Sequence, residues 1–165
     1  IEKARFWATQ ARDKARHYQH SEIGYNYRMS NIVAGIGRGQ LKVLDKRITK
    51  KRYIFEYYKR ELEQLEGIDF MPINSWNEPN CWLTCITLNE SVRPIDMIEA
   101  LEKENIESRP VWKPMNLQPV FKQYDYIGKD VGERLFKNGV CLPSDTKMAD
   151  EDLDRVCKVI RRLWR

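Results

Sequence analysis

Residues 81–88 read CWLTCITL, an apolar run with β-branched members that predicts a β-strand. Two further strands are predicted downstream, over residues 106–111 and 140–143. Pro94 opens an amphipathic helix between the first two strands, and residues 130–137 predict a short helix before the third. With a last helix near the end of the chain, the order is β-α-β-α-β-α. This order indicates a small α/β sandwich whose helices cover one face of the sheet.

The last helix repeats apolar residues at helical spacing, and these are expected to face inward: Leu153, Val156, Cys157, Ile160 and Leu163. Its first turn holds the acidic run 150–152, which suits the positive end of the helix dipole better than it suits a catalytic carboxylate pair. Ala149 occupies the N-cap position, where the lack of a side-chain acceptor should lower the local stability of the helix by about 1 kcal/mol.

A helical period also runs from Ser30, a plausible N-cap, to about Glu66, with Gly67 placed as a stop signal. This span of more than 30 residues is long for a globular helix. The apolar stripe changes phase near Lys46–Lys51, where we expect a kink or a break. Such a helix commonly bridges two domains.

Three glycines lie inside this helical stretch, at Gly35, Gly37 and Gly39. A dinucleotide-binding loop needs a strand, a turn and then a helix, and no strand precedes these residues. Close packing of another element against this helix face is therefore the favoured interpretation, since each glycine weakens a helix by about 1 kcal/mol relative to alanine.

The composition of the 165 residues, with 42% hydrophobic and 11% aromatic residues, is typical of a globular chain rather than a disordered one. No apolar run approaches the roughly 20 residues that cross a bilayer, so no membrane partner is expected. Because the chain opens on Ile1 rather than on methionine, we expect it to have been cut from a longer protein.

Positive charge concentrates in the first third of the chain. Residues 1–60 carry 15 Lys or Arg against 5 Asp or Glu, whereas the whole chain has a net charge of only +5. A basic helical module that binds nucleic acid or a partner protein is one interpretation. No helix-turn-helix, zinc-finger or RNP motif accompanies the charge, which favours the other interpretation, a basic surface that meets substrate phosphates.

Four cysteines and two histidines, at positions 81, 85, 141, 157, 17 and 20, form no metal-binding motif. No pair has the CxxC spacing, and the histidines lie far from the cysteines, so no zinc site is expected. Cysteines inside apolar runs are typical of buried free thiols in a reducing cytosol, and a cytoplasmic location is therefore expected. The sequence leaves disulfide formation open.

Two clusters could contribute to a binding site, although no complete catalytic constellation is present. The first, Tyr25–Arg28, stands just before a predicted helix N-terminus, where amide and guanidinium donors suit an anion. The second, Arg109–Met115, places an arginine, an indole and a lysine on a proline-stiffened loop that could stack a sugar or base and neutralise a phosphate. A strand exit packed by Trp112 is an equally good interpretation of this second cluster.

Residues 20–31, HSEIGYNYRMSN, resemble the G-[YF]-N-Y-R-[ML] signature of the DegT/StrS-type sugar aminotransferases. The similarity continues in order through residues 34–41, AGIGRGQL, and residues 108–115, SRPVWKPM. It ends at residues 141–144, CLPS, followed by the closing helix. This ordered series covers essentially the whole chain.

The resemblance implies the C-terminal part of a fold type I, pyridoxal-phosphate-dependent transferase of the aspartate-aminotransferase kind. Residues 1–30 would be the remnant of the large cofactor domain with a dimer-interface loop. Residues 31–66 would form a long bridging helix or a kinked helix pair. Residues 67–165 would be the small α/β domain, with a short sheet covered by helices.

The activity implied by the resemblance moves an amino group from glutamate to a nucleotide-linked keto-sugar, with a UDP-linked 4-keto-6-deoxy sugar as the expected substrate, for surface polysaccharide or glycan biosynthesis. Family members are homodimers with interfacial active sites. Asn26 would contact the phosphate of pyridoxal phosphate in the partner's site. The resemblance places six further residues near the substrate: His20, Tyr25, Arg28, Arg109, Trp112 and Lys113.

The family's Schiff-base lysine lies on a segment N-terminal to the matching region, and no lysine here has the expected setting. The chain alone is therefore expected to be inactive, with no catalytic residue assigned. Some relatives are dehydratases that carry a histidine in place of this lysine, so a sugar dehydratase remains an alternative.

Overall fold

The computed structural model describes residues 1–89 and 91–164. The chain divides into two compact units, one over Ile1–Leu44 and one that begins at Asp45. None of the helices within the described residues is long and apolar enough to cross a membrane.

The first unit contains two helices, α1 over Glu2–Ala8 and α2 over Asn31–Leu41. The sequence does not mark α1 as a helix, because its seven residues are too few to display a helical period. Ser30 caps α2 as predicted, since its Oγ accepts the backbone N–H of Val33 at 3.3 Å.

The second helical stretch, α3, spans Leu44–Leu62. The break therefore lies at residues 42–43 and not at Lys46–Lys51, so that prediction was wrong. The break follows the glycine-rich α2, where the helix is intrinsically weakest. Gly67 was also misplaced as a helix stop: α3 ends five residues earlier, and Gly67 instead supplies a left-handed turn, with φ of 89°, before the first strand.

Four short strands form an antiparallel sheet in the second unit: β1 Ile68–Phe70, β2 Thr84–Leu88, β3 Arg109–Pro110 and β4 Gly139–Leu142. Their spatial order is β1-β2-β4-β3. The predicted strands over 81–88 and 106–111 are both shorter than expected, and β1 was missed because three residues carry no usable alternation.

Three more helices complete the second unit: α4 Pro94–Glu102, α5 Val131–Asn138 and α6 Asp150–Arg161. Pro94 lies at the start of α4, as predicted. Ala149 is the N-cap of α6 and makes no side-chain cap, although its N–H donates to Asp152 at 2.9 Å. Short 3₁₀ turns occur over Met115–Leu117, Pro119–Phe121 and Arg162–Trp164.

The core of the second unit lies between one face of the sheet and helices α3, α4 and α6. Alternate residues of β2 point into it, so that Thr84, Ile86 and Leu88 are buried while Cys85 and Thr87 are only partly buried. The prediction that helices cover only one face needs a correction. Helix α5 contributes no residue to this core, and its Phe136 lines a cleft together with Cys141.

Tyrosines of α3 bond to the C-terminal part of the chain. The hydroxyl of Tyr53 donates to Asp150 at 2.7 Å, and the hydroxyl of Tyr57 donates to Asp154 at 2.7 Å. Tyr58 is fully buried and donates to the carbonyl of Pro143 at 2.9 Å. Burial raises the pKa of Tyr58, so its hydroxyl stays protonated and remains a donor.

Replacing Tyr58 with phenylalanine should lower the free energy of unfolding by about 2 kcal/mol, because the buried carbonyl of Pro143 loses its donor. The matched control is Tyr53→Phe on the same helix, where the lost bond is solvent-exposed and should cost no more than about 0.5 kcal/mol. Urea denaturation of the two variants measures the difference. Equal losses of unfolding free energy in the two variants would show that the Tyr58 hydrogen bond contributes no more than an exposed one.

Candidate functional site

The first cluster lies on a segment that is hydrogen-bonded to the end of α1. The backbone N–H of Tyr25 donates to the carbonyl of Trp7 at 3.1 Å, and that of Tyr27 donates to the carbonyl of Ala8 at 3.0 Å. Gly24 permits this close approach, because a Cβ built on it would lie 2.4 Å from the backbone nitrogen of Ala11. The glycine of the motif is thus required by packing of backbone on backbone.

His20 and Tyr25 are fixed in different ways. The Nδ1 of His20 lies 2.8 Å from the carbonyl of Gln10, and a carbonyl can only accept, so Nδ1 carries a proton and Nε2 is left for other contacts. The ring of Tyr25 meets that of Tyr27 edge to face, with centroids 6.0 Å apart. Both tyrosines are exposed, which makes their rings available to a ligand or a partner.

Asn26 and Arg28 present donors just before α2. The Oδ1 of Asn26 accepts the backbone N–H of Arg28 at 3.2 Å. This contact uses only the oxygen of the Asn26 side chain and neither of its two N–H donors. The guanidinium of Arg28 adds a forked donor, and the N-terminus of α2 adds its dipole. This donor set fits the phosphate of pyridoxal phosphate, the cofactor that the resemblance implies.

The second cluster lines a cleft of about 710 Å³ in the second unit. Arg109, Trp112 and Lys113 all line this cleft, close to one another in the chain. The other residues that line the cleft are Trp82 and Leu83, residues 107–108 and 110–111, Phe136, and residues 141–144. The two clusters belong to different units.

Two indole rings form the aromatic part of the cleft. The ring centroids of Trp82 and Trp112 are 6.0 Å apart, and the planes are tilted by 35°. Trp112 is 60% exposed, so it does not act as a packing residue at a strand exit. Trp82 was assigned only to the predicted strand. The left-handed backbone of the preceding Cys81, with φ of 50°, starts the strand later and leaves Trp82 exposed at the cleft.

Three polar residues of the cleft region were missed by the sequence. The Nε of Arg109 donates to Glu107 at 2.8 Å. The Oγ of Ser108 lines the cleft and is buried without a hydrogen-bond partner among the described residues. Lys51 donates to the carbonyls of Trp82 and Ser144, and burial lowers its pKa. No local pattern marks Lys51, because its acceptors come from distant segments, whereas Glu107 and Ser108 lie at the edge of the 108–115 stretch and the sequence does not single them out.

No three His, Cys, Asp or Glu side chains come together as a possible metal site over residues 1–89 and 91–164. The donors found in both clusters are amide, guanidinium, ammonium and hydroxyl groups, together with aromatic rings. Such groups bind anions and planar or sugar-like ligands. Both clusters are therefore equipped to bind and orient a ligand.

Comparison with known sequences gives a consistent result. A sequence model of the DegT/DnrJ/EryC1/StrS aminotransferase family matches residues 1–161. A Bacillus subtilis protein named as a pyridoxal phosphate-dependent aminotransferase, EpsN, is 50% identical over 168 residues, which cover 99% of this chain and 43% of that protein. A GDP-perosamine synthase of Vibrio cholerae is 32% identical over 160 residues, with 90% of this chain and 41% of the synthase covered.

A solved structure has the same fold. Helicobacter pylori PseC, an aminotransferase involved in the biosynthesis of pseudoaminic acid, superposes with a TM-score of 0.86 at 16% identity, covering 99% of this chain and 45% of PseC. This likeness confirms the fold-class prediction, a mixed α/β part of an aminotransferase with a small antiparallel sheet. The chain spans about two fifths of the length of the two relatives.

Replacing Gly24 with alanine should release residues 25–27 from α1, because the new Cβ would overlap the backbone of Ala11. Hydrogen exchange of the Tyr25 and Tyr27 amides should become at least about tenfold faster, a loss of roughly 1.4 kcal/mol in local protection. Gly35→Ala is the control, since nothing lies within 4 Å of a Cβ there. Unchanged exchange in Gly24→Ala would contradict the close approach.

Proposed function

The chain belongs to the DegT/DnrJ/EryC1/StrS aminotransferase family, and from this membership we propose that it is the C-terminal part of a pyridoxal-phosphate-dependent sugar aminotransferase. The complete enzyme would move an amino group from glutamate to a nucleotide-linked keto-sugar, in a cytoplasmic pathway to surface polysaccharide or glycan. The observation that carries the proposal is the position of Asn26 and Arg28 just before the N-terminus of α2. Gly24 makes this position possible, because it lets the segment approach the backbone of Ala11 closely.

On the cofactor side, we assign phosphate binding to Asn26 and to the N-terminus of α2. Pyridoxal phosphate, when bound, supplies the electron-withdrawing ring through which amino groups are exchanged. The amide of Asn26 would donate to the phosphate, and Arg28 would neutralise its charge or that of the substrate. His20 and Tyr25 would line the same pocket, with Nε2 of His20 and the exposed phenol as polar contacts.

On the substrate side, we assign the nucleotide-sugar to the cleft of the second unit. The indoles of Trp82 and Trp112 would stack a base or a sugar ring, and Arg109 and Lys113 would neutralise a diphosphate. The unpartnered hydroxyl of Ser108 supports a polar ligand at this place, because a buried hydroxyl costs free energy until it is bonded.

A homodimer is part of the proposal, and α2 supports it. Ile32, Ile36 and Leu41 are each at least 60% exposed, and no residue of α2 is buried. Nothing lies within 4 Å of a Cβ built on its glycines, so the close neighbour predicted for this face does not come from the described residues. A second copy, or the rest of the same subunit, would supply that neighbour.

The activity test uses the complete enzyme with glutamate and a UDP-linked 4-keto-6-deoxy sugar. We expect glutamate-dependent formation of the 4-amino sugar and of 2-oxoglutarate, and no activity from the present chain alone. The GDP-linked keto-sugar is the parallel substrate, because a relative is a GDP-perosamine synthase. Loss of a hydroxyl from the sugar without amino transfer would identify the dehydratase alternative instead. Turnover by the present chain alone would contradict the expectation that the Schiff-base lysine lies outside it.

Replacing Asn26 with alanine in the complete enzyme should raise the dissociation constant of pyridoxal phosphate about 10- to 100-fold, since a hydrogen bond to a charged group is worth roughly 1.5–3 kcal/mol. The measurement is cofactor retention during dialysis, followed by absorbance. Asn74→Ala, at an exposed loop position of the second unit, is the control. Equal retention by both variants would exclude the phosphate contact.

A further inference from the structure

Two cysteines face each other across neighbouring strands of the sheet. Cys85 of β2 lies opposite Cys141 of β4, and their Sγ atoms are 3.5 Å apart. Both side chains point away from the core, because Val140 and Leu142 on either side of Cys141 belong to the core and the neighbours of Cys85 in β2 are buried on the core face. Cys141 lines the cleft that also contains Trp112, and Cys85 lies directly beside it on the neighbouring strand.

The backbone pattern explains why the two thiols are so close. The carbonyl of Cys85 accepts the N–H of Met71 at 3.3 Å and therefore points away from β4. Cys85 and Cys141 are thus a non-hydrogen-bonded pair, the closer of the two kinds in antiparallel sheets, with Cα atoms about 4.5 Å apart. That separation falls within the range that a disulfide bond spans, about 4.4–6.8 Å.

The electrostatics of the pair favour one thiol as the nucleophile. The two thiols share a hydrogen bond in which either sulfur can be the donor; this contact lowers the pKa of Cys85 to about 7 and raises the pKa of Cys141. Cys85 is also only partly buried. Burial raises the pKa of Cys81, and burial raises that of Cys157 to about 12, so these two thiols are poor nucleophiles.

We propose that Cys85 and Cys141 form a thiol-oxidation site, at which a hydroperoxide converts the pair to a reversible intramolecular disulfide. The Cys85 thiolate attacks one peroxide oxygen, breaks the O–O bond and becomes a sulfenic acid, with release of water from hydrogen peroxide. Cys141 then attacks the sulfur of Cys85, and the sulfenic oxygen leaves as a second water with the proton of Cys141. Two thiols and one peroxide thus give one disulfide and two waters.

The first experiment treats the full chain with hydrogen peroxide, alkylates the remaining thiols and maps the peptides. Digestion needs chymotrypsin as well as trypsin, because Trp82 and Leu83 separate Cys81 from Cys85 while no Lys or Arg does. We expect a 2-Da loss and a single cross-link between Cys85 and Cys141, reversed by dithiothreitol, with Cys81 and Cys157 still free. Cross-links of other composition, or none, would overturn the proposal.

Two variants and a rate separate the roles of the thiols. In Cys141→Ser, whose hydroxyl can still donate to Cys85, oxidation should stop at a sulfenic acid on Cys85 that dimedone traps, whereas Cys81→Ala should keep the disulfide. In the unmodified chain, iodoacetamide at pH 7 should alkylate Cys85 at least about tenfold faster than Cys81, because only Cys85 is substantially thiolate. This rate does not depend on the folding of a variant, and equal rates would contradict the assignment of Cys85 as nucleophile.

Discussion

The alternation of strand β2 is the constraint on which the second unit depends. Thr84, Ile86 and Leu88 point into the core, and Cys85 points to the opposite face. A shift of one residue in the pairing would exchange the two faces and expose the core side chains, so burial fixes the register. The same register sets Cys85 opposite Cys141, which lines the cleft. The register that buries the core side chains of β2 therefore also determines which side chains meet on the opposite face of the sheet.

Helix α3 connects these two faces through polar contacts to the chain that follows β4. Tyr58 reaches the carbonyl of Pro143 from within the core, and Lys51 donates to the carbonyl of Ser144 one residue later. Residues 141–144 line the cleft. The helix that covers the core, α3, therefore also positions one wall of the cleft. Because Lys51 also bonds the carbonyl of Trp82, the ammonium fixes two separate segments of the cleft region, and its cost of desolvation is offset by two carbonyl acceptors.

The sequence predicted those features that depend on local pattern. The start of α4 at Pro94 and the cap at Ser30 follow from side chains acting on neighbouring backbone, and both predictions are confirmed. The helix break was placed wrongly because apolar phase was weighed above the low helix propensity of the glycine-rich segment. The partners of Trp82 and Lys51 could not be predicted, since their contacts join segments about 30 or more residues apart in the chain. Residues of the cleft were found where a motif marked them and missed where only the sheet assembles them.

Helix α2 shows why the first unit needs contacts beyond those of this chain. It has 11 residues, three of them glycine, and none of its side chains is buried. An isolated helix of this length is marginal in water, and each glycine weakens it by about a further 1 kcal/mol relative to alanine. Its capping by Ser30 returns only about 1 kcal/mol. Glycine on an exposed helix face is unfavourable unless another backbone approaches closely, and exposed isoleucines gain stability only when they are covered. The sequence of α2 is therefore suited to an interface, and Asn26 and Arg28, which we propose to bind a phosphate, come shortly before α2 in the chain.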